Sequence, residues 1–212
     1  MEITPHEIQQ YSELHTSGEG ELLNRINRHT NAEVLMPRML SGHLQGRLLA
    51  MISRMIKPER ILEIGTYTGY SALCLAEGLQ EHGKIITLDI NEELEERVRN
   101  YFNQSEFKNK IDFRIGNALE LIPKINEVFD LVFIDADKIN YSRYYDLVFD
   151  KVKTGGFILA DNVLWSGKVL APHPDKDTQA IQEFNKKIQA DPRVENVLLP
   201  VRDGIMVVRK VV

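Results

Sequence analysis

From residue 60 onward the chain alternates short β-rich apolar runs with amphipathic helical stretches, and few folds accept that rhythm. The runs are Arg60–Ile64, Ile85–Asp89, Ile111–Ile115, Leu131–Asp135 and Phe157–Asp161. Helical patterns separate them at Tyr70–Leu79, Glu92–Phe102, Ala118–Ile125 and Tyr141–Val152. Strands that alternate with helices predict a parallel sheet covered on both faces. The C-terminus breaks the rhythm. Val194–Leu199 and Ile205–Val211 both read as strands, joined only by the stretch from Pro200 to Gly204. A link that short permits an antiparallel return, because a parallel crossover needs about a dozen residues or more. The expected architecture is therefore α/β, a seven-stranded, mostly parallel sheet closed by a C-terminal antiparallel hairpin. Residues 1–57 read as helical, with segments near Pro5–Asn27 and His43–Met55, and form a cap over the sheet or an oligomer contact. The expectation is one domain over 1–212, with that cap ahead of a core at 58–212.

Composition removes several classes of function. A chain of 212 residues with 43% hydrophobic and 27% charged residues buries a full core without disulfides or a structural metal. Its single cysteine, Cys74, lies in the apolar stretch SALCLAEGL and reads as a small core residue. The N-terminal MEITPHEIQQYSELH lacks the features of a signal peptide, and no apolar run approaches the ~18 residues of a membrane span. A cytoplasmic protein without a membrane partner is expected. A net charge of -5 does not attract polyanions, though a local basic patch stays open. Six scattered histidines show no ligand-like pairing, with His43 and His173 nearest the candidate site segments. The run Glu92–Arg97 reads as a solvated helix face, and Phe184 with Ile188 as core.

In an open α/β sheet, ligands bind beyond the carboxyl ends of the strands. The first strand ends in Glu63-Ile-Gly65-Thr-Tyr-Thr-Gly69-Tyr-Ser71, where two glycines permit a tight turn and a close backbone approach. Their G-x-x-x-G spacing is neither the dinucleotide fingerprint nor a P-loop. The second strand ends at Asp89, 26 residues after Glu63, where a carboxylate can accept both hydroxyls of a ribose. The alternative is that Asp89 caps the helix starting near Asn91. The third strand leads into Gly116-Asn117-Ala118, where a backbone amide can meet an adenine edge. These strand ends suit an adenosine-like ligand.

Two further strand ends carry hard oxygen donors. Asp135 closes the fourth strand, and Asp161 with Asn162 closes the fifth. Two carboxylates and an amide oxygen suit Mg²⁺, Mn²⁺ or Ca²⁺ better than zinc. Without a cation the two carboxylates would repel. Lys138, three residues after Asp135, is either a solvated surface lysine or, beside a cation that disfavours its ammonium form, a general base.

The blocks LEIGTYTGYSAL, ITLDIN, FIDADKINY, ADNVLWSGKV and DPRVENVLLPVRDGIMVVRK resemble the cation-dependent O-methyltransferases, the family of plant caffeoyl-CoA O-methyltransferases and animal catechol O-methyltransferase. The resemblance covers roughly residues 35–212 and is most specific where FIDADK is followed by ADN. It implies a Rossmann-like class I methyltransferase fold that binds S-adenosylmethionine through Glu63, Gly65, Ser71, Asp89, Ala118 and Asp135. Met39 and Ser41 match a family segment that crosses the methyl donor, and Tyr144 a tyrosine near its methionine moiety. Asp135, Asp161 and Asn162 fall on the family's metal ligands, with Mg²⁺ the expected ion and Mn²⁺ or Ca²⁺ as alternatives. Lys138 falls on its base, and Trp165 on an aromatic that borders the acceptor or packs beneath its loop.

The implied reaction moves a methyl group from S-adenosylmethionine to a hydroxyl of a small acceptor, an ortho-dihydroxy aromatic by expectation, and the implied assembly is a homodimer. One rival resembles the bacterial wobble-hydroxyuridine methyltransferases, with tRNA as acceptor and Arg38, Arg47 and Arg143 as candidate contacts. A non-catalytic cofactor binder would need neither the metal cluster nor Lys138. A nicotinamide dehydrogenase is disfavoured by the glycine spacing.

Overall fold

The computed structural model describes residues 4–212 and places seven strands in one sheet among them. They are β1 (Arg60–Ile64), β2 (Lys84–Asp89), β3 (Ile111–Ile115), β4 (Phe129–Ile134), β5 (Val152–Asp161), β6 (Val194–Leu199) and β7 (Ile205–Lys210). Their order is β3-β2-β1-β4-β5-β7-β6, parallel except where β7 runs antiparallel to both β5 and β6. The short link predicted the hairpin, and the hairpin inserts β7 between β5 and β6. Chain order reverses between β1 and β4, which opens a crevice at their carboxyl ends.

Side-chain alternation assigns each strand residue to one of two cores. Leu62, Ile64, Val132, Ile134 and Ile158 face α6 (Ala118–Leu121), α7 (Tyr141–Phe149) and α8 (Lys176–Ala190). Ile61, Leu131, Phe133 and Leu159 face α2 (Glu21–Glu33), α3 (Gly42–Ile56), α4 (Tyr70–Ala76) and α5 (Glu95–Gln104). Each large aliphatic side chain buried this way contributes roughly 1.5–3 kcal/mol. Glu63 and Asp161 share the parity of Ile61 and Leu159, and Asp135 continues that of Phe133. The acids at the ends of β1, β4 and β5 thus belong to the face that α3 and α4 cover.

The predicted strands largely match, while the helix ends differ. The helix expected over Pro5–Asn27 is two helices, α1 (His6–Leu14) and α2, broken where Gly18 and Gly20 weaken helical backbone. The helix predicted to reach Val152 stops at Phe149, and β5 starts at Val152, earlier than its apolar run suggests. Cys74 is buried, as are Phe184 and Ile188 on α8.

Candidate active site

The turn from β1 into α4 packs directly against the end of β4. Gly65 has φ of +102°, and a Cβ there would lie 1.8 Å from the carbonyl oxygen of Asp135. No other residue fits, so the glycine serves the contact between the two loops as well as the turn. The Asp135 amide donates to the Ile64 carbonyl at 2.8 Å and fixes the same contact from the other side. A narrow cleft results, lined by Met39, Leu40, Ser41, Gly65, Thr66, Tyr67, Thr68, Tyr70, Ser71 and Asp135. It brings together five residues of the expected cofactor set: Met39, Ser41, Gly65, Ser71 and Asp135.

Glu63, Asp89, Ala118 and Tyr144 stand outside that lining. Glu63 is fully buried beneath it, and burial pushes its carboxyl up to about 8 against the hydroxyls of Ser71 and Thr87. Asp89 accepts from the Tyr67 amide at 2.5 Å and from the Asn91 amide at 2.8 Å. It therefore ties the β1 loop to the end of β2. The following helical turn is capped by Asn91, whose side chain accepts from the Glu93 amide at 2.9 Å, so the helix-cap reading of Asp89 is replaced. Ala118 opens α6, capped by Asn117. Tyr144 donates to Asp137 at 2.5 Å and is buried.

At the ends of β4 and β5, Ile134 pairs with Ala160, which sets Asp135 and Asp161 side by side one step beyond. Burial raises the Asp161 carboxyl, and the Asp135 charge raises it further. Lys138 is only 9% exposed, so the surface-lysine reading does not hold. Its Nζ donates to Asp135 Oδ1 at 3.0 Å and to the Tyr141 hydroxyl at 2.7 Å. Tyr141 in turn donates to the Asp161 carbonyl at 3.0 Å. Asn162 follows with φ of +59° and sends its amide to Asp161 Oδ1 at 2.7 Å. The Trp165 ring lies 5.7 Å from Lys138 Nζ, and its buried Nε1 has no hydrogen-bond partner among the described residues.

Three residues of this corner escape sequence reasoning: Gln45, Tyr141 and Arg202. Gln45 Nε2 donates to Asp161 Oδ2 at 2.6 Å, and Arg202 Nη1 donates to the Leu40 carbonyl at 3.0 Å. Tyr141 had a readable signal, since it lies three residues after Lys138 on an incipient helix. Gln45 and Arg202 had none, because their contacts span 116 and 162 residues of chain. The histidines play no part: His43 meets the Ser17 carbonyl at 2.8 Å, and His173 is exposed.

Known proteins resemble this chain in sequence and in fold. The sequence model of the O-methyltransferase family matches residues 13–211. Caffeoyl-CoA O-methyltransferase 1 of Arabidopsis thaliana is 39% identical over 181 residues, covering 79% of this chain and 70% of the plant protein. An SAH-bound methyltransferase of Podospora anserina superposes with a TM-score of 0.88 at 30% identity, over 96% of this chain and 94% of that one. The O-methyltransferase of Bacillus cereus in complex with SAH gives 0.88 at 28% identity, over 96% and 97%. The sheet order is that of the Rossmann-like class I methyltransferases. By sequence and by fold, the chain belongs to the O-methyltransferase family and is an S-adenosylmethionine-dependent O-methyltransferase.

Proposed function

We propose that this enzyme methylates a hydroxyl of a small aromatic acceptor, and that it uses a divalent cation held by Asp135, Asp161 and Asn162. The observation that carries the proposal is the hydrogen-bonded corner of the buried Lys138, Tyr141 and Asp161 with the half-buried Asp135, beside the Met39–Ser71 cleft. The donor set fits the ion. Asp161 is buried against a second carboxylate with a single lysine nearby, so a hard cation answers an unbalanced charge. Among the described residues no three His, Cys, Asp or Glu side chains gather as a metal group, and the proposal takes the Asn162 amide oxygen as the third ligand beside the two carboxylates. When bound, Mg²⁺, with Mn²⁺ or Ca²⁺ as alternatives, would lower the pKa of the acceptor hydroxyl and stabilise its oxyanion.

The chain's own groups supply the rest. In neutral form the Lys138 amine has two N–H bonds, which Asp135 and Tyr141 accept, and one lone pair left for the acceptor's proton. The acceptor oxygen then attacks the sulfonium methyl carbon, and the C–S bond breaks with its pair onto sulfur. Met39, Ser41, Glu63, Gly65, Ser71, Asp89, Ala118, Asp135 and Tyr144 form the proposed S-adenosylmethionine site. Trp165 is the proposed border of the acceptor site, its ring 5.7 Å from Lys138 Nζ. Most of the acceleration comes from holding two substrates in line.

Apolar groups near the site favour a small aromatic acceptor over RNA. Met39, Ile139 and Leu170 are 55%, 60% and 83% exposed, beside Ser41, Lys138 and the Trp165 turn respectively. Relatives named for caffeoyl-CoA support the same class. Of the arginines considered for tRNA, Arg47 is held by Glu77 at 2.5 Å, and Arg143 donates to Asn140. We propose further that residues 1–212 act as one domain with 1–57 as its cap, in a homodimer that works in the cytoplasm. No helix among the described residues is long and apolar enough to cross a membrane. The test is a methyl-transfer screen with Mg²⁺ that compares ortho-dihydroxy aromatics, their CoA esters and hydroxyuridine-containing tRNA. Turnover on tRNA alone would reverse the acceptor assignment.

A further inference from the structure

Asp161 does not hold its own orientation. Its Oδ2 accepts from Gln45 Nε2 at 2.6 Å and its Oδ1 from the Asn162 amide at 2.7 Å. A carboxylate has about four lone-pair positions, so one on each oxygen remains after these bonds. Gln45 is 1% exposed and Asp161 3%, so water does not compete for the contact. The far end of the Gln45 amide faces Arg202, whose Nη1 lies 3.5 Å from Oε1. A guanidinium offers only donors and a carboxylate only acceptors, which leaves one way round for the amide.

The elements that present these groups are fixed independently. Gly46, next to Gln45, has no room for a Cβ, which would sit 2.5 Å from the Tyr70 ring. Helix α3 therefore lies hard against α4 and holds Gln45 over the end of β5. Arg202, at φ of +50° in the β6–β7 link, also grips the Leu40 carbonyl at 3.0 Å, just before α3.

We propose that Gln45, oriented by Arg202, is a positioning residue for the metal site. It holds the Asp161 carboxylate so that its remaining lone pairs face the cation, and it joins that site to the Leu40–Ser41 edge of the cofactor cleft. A buried amide is costly where an aliphatic side chain would pack, unless its hydrogen bond is needed. Groups that orient metal ligands typically account for about 10- to 100-fold in metal affinity. The inference rests on the reading of Asp161 as a metal ligand.

The test uses the full-length protein with Mn²⁺ as probe, followed by electron paramagnetic resonance, alongside calorimetric titration with S-adenosylhomocysteine and thermal unfolding. Gln45→Leu should weaken Mn²⁺ binding about 10-fold or more, while S-adenosylhomocysteine affinity stays within about 2-fold. Arg202→Leu, on the hairpin, should weaken Mn²⁺ by a smaller factor, and carries the test if Gln45→Leu does not fold. Asp161→Ala is the control. If Asp161→Ala loses Mn²⁺ while Gln45→Leu, or Arg202→Leu where that variant must stand in, binds it as tightly as wild type, the positioning role is overturned and the metal reading stands. Equal losses of Mn²⁺ and S-adenosylhomocysteine would make Gln45 a packing residue and also overturn it. No saturable Mn²⁺ binding by wild type, or unchanged binding by Asp161→Ala, would overturn the metal reading and this proposal together.

Discussion

Where the strands begin, Asp130 accepts the amides of Glu59 and Arg60 at 2.8 Å each and pairs with Lys153 at 2.8 Å. Arg60 meets Glu127 at 2.9 Å nearby. Where the strands finish, Glu63 and Asp161 are buried near Asp135 and Asp89, with few cations among them. Burial opposes ionisation of Asp130 too, but Lys153 and the two amides outweigh it and the carboxyl falls below its ordinary range. At the finishing end burial wins, and Glu63, Asp161 and Asp203 all rise. One sheet thus pairs its acids with cations and amides at one end, and at the other buries them where ionisation is opposed. Acids kept in that state mark a functional site more reliably than the fold does.

Breaking the finishing end should cost activity, and breaking the starting end should not. Asp161→Ala is expected to lower methyl transfer about a thousandfold, as several kcal/mol of oxyanion stabilisation are lost. S-adenosylhomocysteine affinity, read by calorimetry, should stay within a few-fold. Wild-type turnover by this variant in the presence of a chelator would sink the metal reading. Lys138→Met comes next, with kcat reduced by about 10²-fold or more and an unchanged circular dichroism spectrum. A Lys138→Met enzyme with full kcat would remove the lysine from the chemistry.

The finishing end was partly legible in the sequence. Asp135, Asp161 and Asn162 could be read because strands in alternation bring their carboxyl ends to one edge, whatever the loops do. Lys138 followed from its three-residue offset. Gly65 was read for ligand approach, and its tight contact with the Asp135 carbonyl was invisible without the β1–β4 pairing. Gln45 and Arg202 lay beyond reach for the same reason, since tertiary contacts across most of the chain leave no local spacing. The break between α1 and α2 has its local signal in Gly18 and Gly20, which the helical pattern on both flanks masks.

Tyr141→Phe sharpens the comparison on a smaller scale. It keeps the buried ring but removes the hydroxyl that joins Lys138 to the Asp161 carbonyl. Leaving those groups short of a partner should cost about 1–3 kcal/mol of stability by chemical denaturation. The kcat should fall by roughly tenfold, about the value of one hydrogen bond in a positioned network. Loss of stability without loss of kcat would make the hydroxyl structural only.

The electrostatic contrast itself is tested through the pH dependence of unfolding, where no change in turnover is needed for the readout. The Glu63 carboxyl is raised in the native protein from an ordinary 4.5 to about 8. Above pH 4.5 the unfolded chain releases this proton while the native state keeps it, so the contribution of Glu63 is full below that pH and is lost as pH rises towards 8. Glu63→Gln cannot ionise, and it should flatten the stability profile across that window by an amount on the order of a few kcal/mol at its alkaline end. Asp130 has the opposite sign: its lowered carboxyl contributes above the ordinary carboxylate range, and the contribution is lost as pH falls through the lowered value. Because the pair with Lys153 is partly exposed, Asp130→Asn should remove only about 0.5–1 kcal/mol near neutrality, and nothing in strong acid. Methyl transfer should not change in Asp130→Asn. Profiles that bend the same way in both variants would mean that the two ends of the sheet do not differ in how they hold charge.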